Sequence, residues 1–237
     1  MMTRWFFIFL TLSGGGVFLQ ETSIFAEEST VYSSSSVAKS SSPLQQPQMS
    51  LLHGGGRNGW FRYKNLGSDA LEIKGDTRDT QIFEVDLELH GGRGFNIGMN
   101  GRFESGKAFL TQVDTLNGYQ SPLSGTVAVF RTSIGGFVRG QYLLTSHLGL
   151  FVKGEVGMGP YLQGLAGFAI DGVAQVGLDF YFTDWWGVTV SYGYMSSYGI
   201  ETAASRTDEY KKAFGSKPLF FTAGENLMLI GLKSTYL

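Results

Sequence analysis

The sequence predicts an all-β protein, an eight-stranded antiparallel up-and-down transmembrane β-barrel, with ten strands as the alternative count. Three observations carry this. Large apolar residues alternate strictly with small or polar ones through most of the chain, the period of a strand with two different faces. The connections alternate between short and long, as they do in barrels that cross a membrane. The 237 residues include 34 Gly and 14% aromatics but only 16% charged side chains, where average Gly usage is about 7%.

Composition also excludes several classes. A formal charge of −2 shows no net basicity of the kind that marks nucleic-acid partners. The absence of Cys excludes disulfide scaffolds, thiol catalysis, Cys-ligated metals and a lipid-modified N-terminal cysteine. Residues 1–26 read as a secretory signal peptide: Arg4 precedes the run "WFFIFLTL", which Ser13-Gly14-Gly15-Gly16 interrupts before it reaches the roughly 20 residues of a spanning helix, and Ala26 ends the segment. Residues 27–57 are rich in Ser, Gln, Pro and Gly and read as a disordered linker, leaving 58–237 as the barrel.

The strands follow in order. A weak first strand over 59–65 sets Phe61 and Tyr63 against Trp60, Arg62 and Lys64. Next, Phe83, Val85, Leu87 and Leu89 oppose Glu84, Asp86, Glu88 and His90, and "GGRG" turns the chain into Phe95, Ile97, Met99 and Phe103 against Asn96, Gly98, Arg102 and Glu104. Residues 133–144 and 148–158 meet at Thr145-Ser146-His147. Residues 173–182 and 185–194 meet at Thr183-Asp184, and a final strand runs through Met228, Ile230, Leu232 and Tyr236. The long connections fall near 66–80, 105–126 and 198–223, with a moderate one at 160–167. In 107–131, "AFLTQV" and "GTVAVF" either extend strands or add a hairpin, which is the source of the ten-strand alternative.

Period 2 alone does not say which face is outside. Glycines crowd the polar face, as a narrow eight-stranded lumen requires. Aromatics gather near strand ends, as interfacial girdles require. The apolar face therefore reads as lipid-facing, with Phe180, Phe182, Trp186, Tyr192, Tyr194 and Tyr236 as its lipid-facing and girdle aromatics. The stretches "GVAQVGLDFYFTDWWGVTVSYGYM" and "ENLMLIGLKSTYL" resemble the last strands of small outer-membrane barrels of the OmpA/OmpX/OmpW and opacity-protein type. That resemblance implies a bacterial outer-membrane location and a chain that closes last strand on first. It implies no particular activity.

The charges on the inferred interior are Arg62, Lys64, Glu84, Asp86, Glu88, Arg102, Glu104, Arg139, Lys153, Glu155, Asp171, Asp179 and Lys233. They read as a mutually paired network filling the lumen, with a conduction path or proton relay as the other reading. Alternate spacing puts Glu84, Asp86 and Glu88 on one face, about 7 Å apart. Arg62, Lys64 and Arg102 on neighbouring strands are the expected partners of this triplet, with a divalent cation as the other reading. No zinc, phosphate-loop or nucleophile-elbow motif is present. His53, His90 and His147 fall in the linker and beside short turns, and Ser146 and His147 are expected to point to opposite faces.

The sequence reading is thus a monomeric, non-enzymatic barrel without cofactor or metal, structural or surface-binding through its long loops. Its partners would be outer-membrane lipid and a surface ligand or host factor, and not nucleic acid. A narrow porin-like channel for small or hydrophobic solutes is the alternative, followed by a lipid-modifying barrel enzyme.

Overall fold

A strand whose two faces differ must pair on both edges when its surroundings offer no hydrogen bonds, and this chain achieves that by closing on itself. The computed structural model describes residues 7–13, 16–22, 47–65, 71–92, 94–202 and 207–235. The chain divides into two units, residues 1–39 and 40–237. In the first, β1 (Phe7–Ser13) pairs antiparallel with β2 (Gly16–Thr22).

The second unit holds β3 (Gln48–Asn65), β4 (Glu72–Gly92), β5 (Phe95–Val113), β6 (Thr126–Thr145), β7 (Leu148–Gln163), β8 (Leu165–Tyr181), β9 (Trp186–Glu201), α1 (Asp208–Phe214) and β10 (Leu219–Thr235). The eight strands form one closed antiparallel barrel in chain order, sealed where β10 pairs with β3 from Leu219↔Asn65 to Thr235↔Gln48. No ten-strand barrel forms: "AFLTQV" and "GTVAVF" extend β5 and β6. Stepping across paired residues from Leu51 through Val85, Gly101, Ile134, Met158, Ile170, Tyr198 and Thr222 returns to β3 at Arg62. That stagger is the shear that tilts strands by roughly 35–45° in small membrane barrels.

Several expected boundaries move. Residues 48–57, expected in the linker, belong to β3, because the backbone of "MSLLHGGG" pairs with β10 on one side and β4 on the other. Residues 27–46 and Tyr236 lie outside the described residues. The long connections shorten to 66–71, 114–125 and 202–218, and the expected link over 160–167 shrinks to Gly164, whose φ of 76° suits a residue without Cβ. The Thr183-Asp184 link widens to 182–185, where Thr183 Oγ1 accepts from the Trp185 and Trp186 amides.

The largest departure is a reversal of faces in β3 and β4. Below it, Leu52 and Gly56 on β3 and Glu84, Ile82 and Thr80 on β4 point inward; above it, Gly59, Phe61 and Tyr63 and then Thr77, Gly75 and Ile73 do. Arg57-Asn58 and Arg78-Asp79 are therefore consecutive outward pairs, and they face each other between the Gly56↔Thr80 and Gly59↔Thr77 pairs. Asn58 and Asp79 carry the left-handed backbone of the bulges, with φ 53° and 54°. The pairing with β10 and with β5 shifts at the same level. Arg62 and Lys64 are corrected accordingly: they lie on the outer surface, with Phe61 and Tyr63 inside.

The reversal gives the barrel two kinds of interior. Its upper part, toward the long connections, is an apolar plug in which Phe61, Tyr63, Ile73, Tyr161 and Phe221 pack with Ala213 and Phe214 of α1. Its lower part is mainly polar, with a small apolar cluster of Leu52, Ile82, Val173, Met195, Leu227 and Leu229 among the charges. The face reversal is checked by cysteine labelling with a water-soluble maleimide in detergent micelles: Lys64→Cys should react promptly, whereas Tyr63→Cys should react at least tenfold more slowly. Equal rates would show that the bulges do not form.

Candidate functional site

The polar interior is built in storeys, because inward residues on tilted neighbouring strands meet at common heights. In the lowest, Arg139 of β6 binds Glu88 of β4 at 3.1 Å and Asp179 of β8 at 2.5 Å. Lys233 of β10 reaches the same two carboxylates at 3.2 and 3.1 Å, and Gln141 donates to Asp179 and to the Tyr181 hydroxyl. Two cations face two anions here, so the storey is neutral.

The middle storey is centred on Lys153 of β7. Its ammonium lies 2.6 Å from Glu84, 2.7 Å from Asp86 and 2.9 Å from Glu155. Ligand oxygens of these three carboxylates sit within 4.8 Å of one another, the donor set a divalent cation would use. The lysine ammonium occupies the centre of that set. Arg102 clasps Glu84 through Nε at 2.9 Å and also pairs with Glu155. One cation in each of these two storeys lies against an aromatic face: Lys153 Nζ is 4.7 Å from the centre of the Phe137 ring, and the Arg139 guanidinium is 3.8 Å from that of Phe151. Those rings cover Gly98 and Gly177, where a Cβ would come within 2.4 and 2.5 Å of them.

The upper storey is looser and acidic. Arg131 stands 3.5 Å from Glu104 and 4.0 Å from Asp171, and donates to Ser197 at 3.0 Å. Glu225 accepts from the Thr80 hydroxyl at 2.6 Å, in space left by Gly56 and Gly59. Above it the plug begins: Tyr161 and Phe221 stack at 4.2 Å, and the Tyr63 hydroxyl donates to the Gln163 and Leu165 carbonyls. Tyr210 of α1 packs against the plug, and burial, then the charge of Glu209, raises its phenol above the ordinary value.

Of the predicted interior charges, Glu84, Asp86, Glu88, Arg102, Glu104, Arg139, Lys153, Glu155, Asp171, Asp179 and Lys233 are buried in these storeys. Arg62 and Lys64 are not; they pair outside with Glu72, at 2.9 and 3.5 Å. The expected partners of Glu84, Asp86 and Glu88 are corrected in consequence. Arg102 binds Glu84, but Lys153, Arg139 and Lys233 take the other places from across the lumen. Arg131 and Glu225 were missed as interior charges; counting by twos back from Arg139 and from Lys233 reaches both. Phe180, Phe182, Trp186, Tyr192 and Tyr194 are exposed on the outer surface.

Two histidine expectations also change. His53 lies on β3, not in a linker, with its ring 4.5 Å from that of Phe83. Ser146 Oγ and His147 Nδ1 are 2.7 Å apart, because both sit in the tight turn between β6 and β7 rather than on opposite faces of a strand. The His90 side chain lies outside those described.

An apolar exterior around a storeyed ionic interior defines a transmembrane β-barrel with an occupied lumen. No protein-family model matches the chain, and no curated protein matches it. Among solved structures, it is similar to the outer membrane protease OmpT from Escherichia coli, with a TM-score of 0.40 and 8% identity over 81% of this chain and 97% of that one. Neisserial surface protein A gives a TM-score of 0.40 and 11% identity, over 80% and 97%. Ail, the attachment invasion locus protein of Yersinia pestis, gives 0.32 and 12%, over 79% and 99%.

Replacing Lys153 by Met would leave three carboxylates converging without their ammonium. The expected loss is about 3–5 kcal/mol of stability, read as a lower urea midpoint by tryptophan fluorescence in micelles. Combining it with Glu84→Gln and Asp86→Asn should recover more than half of that loss. A single variant as stable as the parent would mean that Lys153 is not the hub of the storey.

Proposed function

We propose that the protein is an integral barrel of a bacterial outer membrane, non-conducting and non-enzymatic, that carries residues 66–71, 114–125 and 202–218 as surface loops for recognition. Residues 1–26 act as its signal peptide and the Ser-rich segment that follows as a tether. The observation that carries this reading is the occupied lumen: two tightly paired ionic storeys, a looser acidic one and an aromatic plug capped by Ala213 and Phe214 of α1 lie one above another. A solute path would have to break buried ion pairs, and removing one partner of such a pair leaves an unpaired buried charge. The exterior supports the membrane part of the reading, since outward positions from Phe95 to Phe103 on β5 and from Phe180 to Phe168 on β8 bear large apolar side chains with scattered Gly and Ala. Loops on a rigid scaffold are where recognition concentrates, and 114–125 presents an exposed Tyr119.

The lipid-modifying reading finds less support. The Ser146–His147 contact lies at the end of the short turns, and among the described residues no carboxylate hydrogen-bonds His147 to orient it. The proposal is tested in two ways. Purified barrel in planar bilayers should give no stable unitary conductance, and steps of ordinary porin size would overturn the non-conducting assignment. An epitope inserted after Ser121 should bind antibody on intact cells; antibody access only after the outer membrane is opened would reverse the assigned orientation.

A further inference from the structure

Every charged side chain on the outward face of the eight strands lies on β3, β4 or β5, among the strand residues whose side chains are described. On β6 to β10 the charged strand residues all point inward. The outward cations are Arg57, Arg62, Lys64, Lys74, Arg78 and Lys107; the outward carboxylates are Glu72, Asp76 and Asp79. Glu72 is shared by the upper three, at 2.9 Å to Arg62, 3.5 Å to Lys64 and 2.7 Å to Lys74. Arg57, Arg78 and Lys107 make no ion pair within 4.0 Å among the described residues, in contrast to the paired cations inside.

These three lie on three adjacent strands, with the outward Asp79 carboxylate among them beside Arg78. The facing bulges project Arg57 and Arg78 outward from adjacent strands, and Lys107 is the register partner of Arg78 on β5. Adjacent strands lie about 4.8 Å apart, so three cations occupy a strip roughly 10 Å wide. Exposed aromatics flank them, as at the upper interface of the membrane placement proposed above. Trp60 follows Arg57 on β3, Phe109 is the next outward residue after Lys107 on β5, and both are exposed aromatics. The Arg78 guanidinium stands 5.3 Å from the Phe109 ring centre.

Below the strip the wall is concave. A groove of about 470 Å³ opens to the outside between Phe83, Val85, Phe103, Ile134 and Met158, floored by Gly101. A Cβ at Gly101 would meet nothing within 4 Å, so barrel packing does not require glycine there. Lys107 lies four residues above Phe103 on β5, about 14 Å along the strand. Phosphate at the strip and a hydrocarbon chain in the groove match the two ends of one amphiphile.

We infer that Arg57, Arg78 and Lys107, with the groove beneath them, form a binding site for a phosphorylated membrane lipid, its phosphate held by the strip and one acyl chain lying in the groove. The inference rests on the membrane placement proposed above. Cations at an anionic lipid surface gain about as much each as a fewfold change in affinity, so three acting together give a tenfold or larger preference for a phosphate-bearing lipid.

The test uses the full-length barrel in a neutral detergent, with calorimetric titration by lysophosphatidic acid, by a monoacylglycerol of the same chain length and by inorganic phosphate. Lysophosphatidic acid should bind saturably and at least tenfold more tightly than the monoacylglycerol, and inorganic phosphate should not bind measurably. The triple variant Arg57→Gln/Arg78→Gln/Lys107→Gln should bring lysophosphatidic acid down to the affinity of the monoacylglycerol, while Gly101→Leu should weaken both lipids. Unchanged thermal unfolding midpoints would establish that the variants retain the fold. Equal binding of the two lipids, parental affinity in the triple variant, or phosphate binding as well as the lipid would each overturn the site. Cell fractionation reports membrane placement separately, so the two readings fail independently.

Discussion

Closure of the sheet by the β10–β3 pairing is the constraint on which the rest of the molecule depends. Backbone amides left unpaired in hydrocarbon cost several kcal/mol each, and a strand edge would expose a row of them. Pairing runs the full length of the seam, from Leu219↔Asn65 to Thr235↔Gln48, with one bulge at Gly224/Asn226. Once the ring is closed, every strand has an inner and an outer face. The inner space is just wide enough for side chains, so what fills it must satisfy itself.

The interior meets that demand by two different means. In its lower part, carboxylates and cations from opposite walls pair with one another, and Phe137 and Phe151 lie over glycines to shield the charges. In its upper part, ions give way to aromatics packed against α1. The change is produced by the facing bulges at Asn58 and Asp79. Without them the upper halves of β3 and β4 would turn Arg62, Lys64 and Lys74 into the lumen and Phe61, Tyr63 and Ile73 outward. The same bulges set Arg57 and Arg78 on the outer wall, so one backbone irregularity shapes both the plug and the cationic strip.

Much of this was legible in advance. The alternation in 148–158 and 185–194 names the outward residues of β7 and β9 because side-chain direction in a regular strand depends only on parity. The paired nature of the interior followed from the width of an eight-stranded lumen. The first strand was misread because "GGGRNG" breaks the alternation, and a left-handed Asn58 or Asp79 carries no mark that separates a bulge from a loop. The start of β3 was missed for a related reason: "HGGG" offers few side chains for a periodicity to be read from, although its backbone pairs on both sides.

By itself, then, the sequence determined the antiparallel order of the strands and the segregation of apolar from polar faces, since both arise from local alternation and connection length, while the run 107–131 left eight or ten strands for the structure to decide. It also determined that acids and bases would share the lumen. Only the tertiary structure decided which ones meet. Lys153 of β7 finds Glu84 and Asp86 of β4 across the barrel, and Arg139 joins Glu88 to Asp179 on strands that are not its neighbours in both cases. Such contacts depend on the stagger accumulated around the ring, which brings Leu51 round to Arg62. No single segment encodes that stagger, because it is a property of all eight pairings closing at once.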